Sequence, residues 1–332
     1  MTQSKVICIG EALIDQIVSK SDKKFTNYLG GAPANVACAL RKLDIPTSII
    51  CCLGDDDFGR EFINLFQQLN LNIDFLQVDE QCSTRIVKVI RDNKGDRSFS
   101  GFVNKNNDFF ADEMLDKLKI ENNIAKLKNL FLDSKYFITG TNLLTAEKSS
   151  EALLFLCNYA QNFNLKIVID VNWRNIFWDN SKIMFKLNRS RHIQKIKNFL
   201  NCADILKLAY EEANLFFNNH DPSEISKSLK NKPDVIITNG EKPISWFING
   251  IKGVTKVKFS MKIIDTTGAG DSFLAGLISQ FVNDCSQENE ESIHKSVLFA
   301  SVCGLLTCLG EGAIEHQPEY IKVQEFLEDL GS

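Results

Sequence analysis

The chain contains no G-x-x-x-x-G-K-[ST] segment, and its ten cysteines form no C-x-x-C pair. The first absence excludes a Walker phosphate loop. The second, with Cys303-x4-Cys308 lacking a nearby histidine pair, excludes the common zinc spacings. The cysteines lie instead in apolar segments such as residues 48–53 and read as reduced core residues. Gly10-Glu11-Ala12-Leu13 follows the first apolar run without becoming G-x-G-x-x-G, so the signal for a dinucleotide turn is weak. A strongly basic field is also missing: 38 Lys and Arg stand against 42 Asp and Glu, mixed in sign, for a net charge of −4. That balance argues against nucleic acid and anionic membranes as partners and favours small molecules. The longest apolar region, residues 297–309, is shorter than a membrane span and contains Gly304. Residues 1–5 lack the basic and apolar parts of a secretion signal, and Val6-Ile7-Cys8-Ile9 reads as a first buried strand. A cytoplasmic protein is expected.

At 332 residues the chain is long enough for one large core with a small appended subdomain. Short apolar strands at 6–9, 48–53, 136–139, 166–170, 205–208 and 235–238 alternate with helical patterns at 34–42, 58–68, 146–162, 211–217 and 225–229. This alternation predicts a mostly parallel sheet covered by helices on both faces. Two long helices, about 269–283 and 290–309, follow, separated by polar residues 284–289. Residues 84–91 and 96–102 alternate around Asp92-Asn93-Lys94-Gly95 and predict a hairpin, with 12–19 as a further, partly exposed strand. A small antiparallel sheet inserted there would serve as a lid or as an ordinary sheet edge. Residues 104–107 and 218–220 read as loops within one domain.

The chemistry concentrates at Asp265-Thr266-Thr267-Gly268-Ala269-Gly270-Asp271, which runs straight into an apolar helix pattern. A helix N-terminus there offers the amides of Gly268, Ala269 and Gly270 to the charge of a transferring phosphoryl group. Asp271 would orient an alcohol and take its proton. The helix dipole predicts an ionised, weakly basic carboxylate. A plain capped helix explains the same residues. Gly30-Gly31-Ala32-Pro33-Ala34-Asn35 forms a second glycine-led helix start, in which Asn35 offers a donor and an acceptor to a hydroxyl. Glu11 and Asp15 follow the first strand, with Asp15 the better candidate for gripping sugar hydroxyls. Asp170, Asn172 and Arg174 follow another buried strand and suit a polyol or phosphate pocket with Trp178 nearby, or a structural Arg174–Asp170 ion pair.

Together these segments, with Gly54-Asp55-Asp56-Asp57-Phe58-Gly59, resemble the ribokinase-like carbohydrate kinases over nearly the whole chain, and most closely the fructokinases of plants and bacteria. The resemblance implies a single domain over residues 1–332: a three-layer α/β/α sandwich with a small β-sheet lid from about 12–30 and 84–103. It implies Asp271 as catalytic base, Gly268, Ala269 and Gly270 as anion hole, and Asp15, Gly31 and Asn35 on sugar hydroxyls. Asp170, Asn172, Arg174 and Trp178 match a fructokinase segment, and Arg97 and Phe99 resemble the lid residues that face the sugar. Thr238 and Gly240 stand where a T-x-G-x-x-G nucleotide loop is expected, with Pro243 replacing its last glycine. Gly304 and Gly312 resemble the segment beside adenine. Glu212 matches an N-x-x-E element that organises Mg2+ through water, with Ala209 in place of the asparagine, and Asp265 with Thr267 resembles part of a K+ site.

The resemblance thus implies ATP-dependent phosphorylation of a sugar primary hydroxyl, fructose first, in a monomer or a lid-mediated homodimer. Ribose, a nucleoside and 2-keto-3-deoxygluconate are competing acceptors, the last because Arg174 would favour a carboxylate. A catalytically silent sugar sensor is the reading from another class, kept open by Ala209 and Pro243.

Overall fold

The computed structural model describes residues 5–18, 25–91, 97–103, 109–178, 185–257, 261–283 and 289–331. The strands, in chain order, are β1 (Val6–Ile9), β2 (Leu13–Val18), β3 (Phe25–Gly30), β4 (Thr47–Ile50), β5 (Cys52–Gly54), β6 (Gln77–Asp79), β7 (Ile86–Arg91), β8 (Arg97–Val103), β9 (Tyr136–Thr139), β10 (Lys166–Asp170), β11 (Ile205–Ala209), β12 (Asp234–Asn239), β13 (Lys242–Ile248) and β14 (Ile251–Thr255). An eight-stranded sheet takes the order β14-β13-β12-β11-β10-β9-β1-β4. Its members from β4 to β12 run parallel, while β13 and β14 add an antiparallel edge. Chain order reverses across β1 and β9, because β1 leads to β4 on one side and the later strands extend from β9 on the other. Loops diverge at such a reversal and leave a crevice at the carboxyl ends of the strands.

Successive strand side chains point to opposite faces, and the core obeys that period. Val6 and Cys8 enter one apolar layer, with Phe62, Phe66, Leu274 and Val297 from its helices. Ile7 and Ile9 enter the other, with Leu127, Leu153, Ile196 and Ala213. The result is the expected three-layer α/β/α sandwich. Eight of the cysteines, Cys8 and Cys303 among them, are buried free thiols.

The second sheet has the order β3-β2-β7-β8, with β2 parallel to β7 and the other pairs antiparallel. The hairpin expected around residue 92 is present as β7 and β8, although its turn at 92–95 lies outside the described residues, as do 104–107 and most of 284–289. The strand expected to be partly exposed, β2, is buried from Leu13 to Ile17 because it is flanked on both sides. Residues 48–53 do not form one strand. The chain leaves the main sheet after β4, and β5 pairs with β6 in a separate two-stranded sheet. Asp56 stabilises this corner by accepting from Gly59 N (2.8 Å), Thr84 N (2.7 Å) and Thr84 Oγ1 (2.9 Å), tying a helix start to the root of β7.

Candidate active site

Helix Ala32–Lys42 and helix Ala269–Val282 bring their N-termini together at the crevice. Gly31 precedes the first with φ 99°, and an added Cβ would stand 2.6 Å from the Glu11 carbonyl oxygen, so only glycine lets the chain pass β1 this closely. Gly268 precedes the second with φ 74°, and its Cβ would meet Ala313 O at 2.7 Å. First-turn amides have no carbonyl four residues back, and Ala269 N reaches Thr266 O only at 3.4 Å. Asp271 is buried in the first turn of that helix and accepts from Asn35 Nδ2 at 2.8 Å. Two motifs 236 residues apart thus meet at one carboxylate.

The cleft around this carboxylate is lined by Asp15, Gly31, Asn35, Asn172, Arg174 and Gly268, joined by Glu11, Leu13, Val87, Asn142 and Phe177. Asp15 is delivered by β2 and is buried. Asn172 holds φ 45°, a left-handed backbone that asparagine tolerates better than most side chains, so its placement comes from a sharp exit after β10. Glu11 was the lesser candidate beside Asp15, and Leu13, Val87, Asn142 and Phe177 were not assigned to the pocket by sequence. Leu13, Val87 and Phe177 have the pattern of core residues, and only the fold turns them toward a cavity.

Asp170 does not pair with Arg174. Its partner is Lys207 on β11, whose Nζ lies 2.7 Å from Asp170 Oδ2 with both residues buried. Adjacent parallel strands place Asp170 opposite Lys207 in register, which no spacing in the sequence reveals. A lone charge in the apolar run Ile205-Leu206-Lys207-Leu208 was the available signal. A Cβ at Gly270 would stand 3.2 Å from Lys207 Nζ, so the ammonium sits directly beside the glycine turn. Burial works against that charge, but Asp170, aided by Glu212 and Asp271, outweighs it and holds Lys207 above its ordinary range.

The expected low basicity of Asp271 is corrected by its surroundings. Burial, then the nearby Asp170 charge, push its carboxyl up to about 6 against the lowering by Asn35, Lys207 and Arg174. Desolvation of a buried carboxylate exceeds the dipole's stabilisation, which is about 0.3–1 kcal/mol at exposed sites.

The remaining residues divide by geometry. Glu212 is buried, and its Oε1 and Oε2 accept from Trp173 N (2.6 Å) and Ala209 N (2.8 Å). It therefore caps its own helix and fastens the loop after β10. Asp265 Oδ1 accepts from Thr267 N (3.0 Å) and Thr267 Oγ1 (2.6 Å), and Oδ2 from Gly312 N (3.2 Å), which locks the glycine turn to the C-terminal loop. Gly304 permits close packing against Ala269, since its Cβ would lie 2.9 Å from Ala269 O. Thr238 and Gly240 lie at the β12–β13 hairpin, with Asn239 opposite Lys242 and Pro243 in the irregular stretch beside it. A loop was expected there, and β-pairing makes it a tight turn. Trp178 is buried and stacks on Trp173 at 5.5 Å, away from the cleft lining, and Phe177 takes the position facing it. Arg97 and Phe99 lie on β8, opposite Arg91 and Val89, and their side chains lie outside the described residues. Among the described residues, no three His, Cys, Asp or Glu side chains cluster as a metal cage, and no helix is long and apolar enough to cross a membrane.

A three-layer α/β fold, a small β-sheet beside the cleft and a buried carboxylate at a glycine-led helix start define a carbohydrate kinase. Residues 3–319 match the pfkB family carbohydrate kinases, and the chain belongs to that family. It is 30% identical to probable fructokinase-3 of Arabidopsis thaliana over 336 residues, covering 98% of this chain and 91% of that protein. It is 29% identical to the chloroplastic probable fructokinase-6 of the same plant, covering 97% and 82%. Among solved structures, the fold is similar to a Xylella fastidiosa fructokinase with bound ATP, with a TM-score of 0.84 at 24% identity, covering 99% of this chain and 100% of that one. It is also similar to a Vibrio cholerae O395 fructokinase in a form with fructose, ADP and calcium bound, with a TM-score of 0.77 at 22% identity, covering 98% and 100%.

Proposed function

We propose that this kinase transfers the γ-phosphoryl group of magnesium ATP to a primary hydroxyl of D-fructose. The observation that carries the reading is the buried Asp271, hydrogen-bonded to Asn35 and set in the first helical turn directly after Gly268–Gly270 in a polar cleft. Asp15, Asn35 and Asn172 hold hydroxyls of the sugar, and the β3-β2-β7-β8 sheet serves as lid, with Arg97 and Phe99 on its β8 strand. Asp271 receives the alcohol proton as the oxygen attacks in line. The helix amides and the nearby Lys207 ammonium face the charge that spreads over the phosphoryl oxygens. The names of the plant relatives, and of the fructokinase structures that hold fructose and nucleotide, support fructose as acceptor.

The residues fit magnesium carried on the nucleotide's phosphates and waters. Magnesium retains several waters in such sites, and Glu212 is already engaged by two amides, so it would act only through a metal-bound water. Bound there, the ion neutralises the triphosphate. Potassium at the Asp265–Thr267 loop is part of the same proposal, as are nucleotide contacts from Thr238, Gly240, Gly304 and Gly312.

The test is ADP formation across fructose, ribose, adenosine and 2-keto-3-deoxygluconate with magnesium ATP. Fructose is expected to give the highest kcat/KM, and turnover of another acceptor without fructose overturns the assignment. The same assay carries a pH prediction. Asp271 must be ionised to take a proton, and its carboxyl stands at about 6, so kcat/KM should fall tenfold per pH unit below a midpoint near 6. A flat profile down to about pH 4.5, well below that midpoint, would remove Asp271 as the base.

A further inference from the structure

The cleft contains two polar side chains, Glu11 and Asn142, that the proposed chemistry does not use. Glu11 and Asn142, from the loops after β1 and β9, meet at the point where the sheet order reverses, with Asn142 Nδ2 donating to Glu11 Oε1 at 2.8 Å. Their relative exposures are 2% and 6%, and both line the same cleft as Asp271. Glu11 Oε2 and Asn142 Oδ1 accept no hydrogen bond from any described residue, and neither does Asn35 Oδ1. The amide orientations follow from the bonds they make: Asn142 donates to Glu11, and Asn35 donates to Asp271. Both amide oxygens are thereby left buried without a donor. Three buried acceptors without donors are costly alone, so the arrangement calls for a ligand that supplies O–H groups. Of the charges nearest Glu11, Asp112 is held by the buried Arg85 at 3.0 Å, whereas Asp271 lines the same cleft.

We propose that Glu11 and Asn142 form a hydroxyl-reading subsite in the sugar cleft, which selects a neutral polyhydroxy acceptor and rejects one presenting a carboxylate there. The inference rests on the sugar-kinase reading of this cleft and adds its selectivity. A sugar O–H donating to Glu11 Oε2 makes a charge-assisted bond. A substrate carboxylate would add one more negative charge beside Glu11 and Asp271, and juxtaposed like charges disfavour that acceptor. This repulsion opposes the attraction that Arg174, elsewhere on the cleft, offers to a sugar acid.

The experiment compares wild type, Glu11→Gln and Asn142→Ala at pH 8, above the value of about 7 to which burial pushes the Glu11 carboxyl. Each protein is assayed with fructose, with its monodeoxy analogues at non-reacting carbons, and with 2-keto-3-deoxygluconate, and binding of the same ligands is followed by calorimetry. Glu11→Gln should raise KM for fructose about tenfold or more while kcat stays near wild type, as for a lost hydrogen bond to a charged group. One monodeoxy analogue should lose the same factor with wild type and lose nothing further with Glu11→Gln. Asn142→Ala should lose less, on that same analogue.

The subsite is overturned if each analogue costs wild type and Glu11→Gln the same factor, the result expected when Glu11 binds only a structural water. It is equally overturned if wild type prefers the sugar acid. Should Glu11→Gln fail to fold, the wild-type panel and Asn142→Ala decide on the same criterion. If no neutral sugar yields ADP, the fructose assignment fails separately, and the calorimetric panel still tests the subsite.

Discussion

An Asp271→Asn variant is expected to lose about 10²–10⁴-fold in kcat, the usual contribution of a positioned general base, with KM for sugar largely unchanged. Asparagine keeps the size of the side chain and a carbonyl oxygen for the Asn35 amide, so the cleft keeps its shape while the proton acceptor disappears. Thermal unfolding gives a second readout with the opposite sign. The Asp271 carboxyl stands at about 6 in the fold, above its ordinary 3.8, so the folded state binds this proton more tightly than the unfolded chain. That difference destabilises the fold as pH rises from 3.8 through 6, and the penalty is fully present above 6. The neutral variant escapes it and should melt at or above the wild-type temperature at pH 8. Loss of activity together with a gain in stability is the signature of a site whose charge is held against its surroundings. A variant that retained wild-type kcat would end the assignment of Asp271 as base.

The second large effect concerns Lys207. Replacing it by methionine leaves Asp170 charged, buried and without its 2.7 Å partner, and should lower the unfolding free energy by about 3–5 kcal/mol in urea titrations. A companion variant, Lys207→Met with Asp170→Leu, should recover most of that loss, because removing both charges removes the desolvation cost along with the attraction. Activity should not return. The double variant lacks the ammonium beside Gly270, one of the groups proposed to face the phosphoryl charge. The single variant carries a kinetic mark as well: Lys207 lowers the Asp271 carboxyl, so its removal should shift the acid limb of kcat/KM upward. Equal stability of the single and double variants would show that the pair is not what makes Lys207 important to the fold.

The two helix starts were legible because their chemistry is local. Glycines at positive φ and a proline or an acid in the first turn are all written within a few residues, at Gly31 to Asn35 and at Gly268 to Asp271. The strand periods were legible for the same reason, as Val6 and Cys8 against Ile7 and Ile9 show. What escaped were contacts that depend on register and crossover. Lys207 meets Asp170 across 37 residues through parallel pairing, and Asn142 meets Glu11 across 131 through the sheet reversal. The break of residues 48–53 into β4 and β5 escaped too, because an apolar run carries no mark of which sheet its end will join.

Sequence by itself determined the layered α/β order, the glycine turns and the identity of the carboxylate that closes the second one, since backbone conformation and side-chain alternation are short-range properties. Only the tertiary structure decided how that carboxylate is charged, which cation stands beside it and which acceptors share its cleft. Those properties depend on how much water is excluded and on which distant charges come within a few ångströms, and both are set by packing.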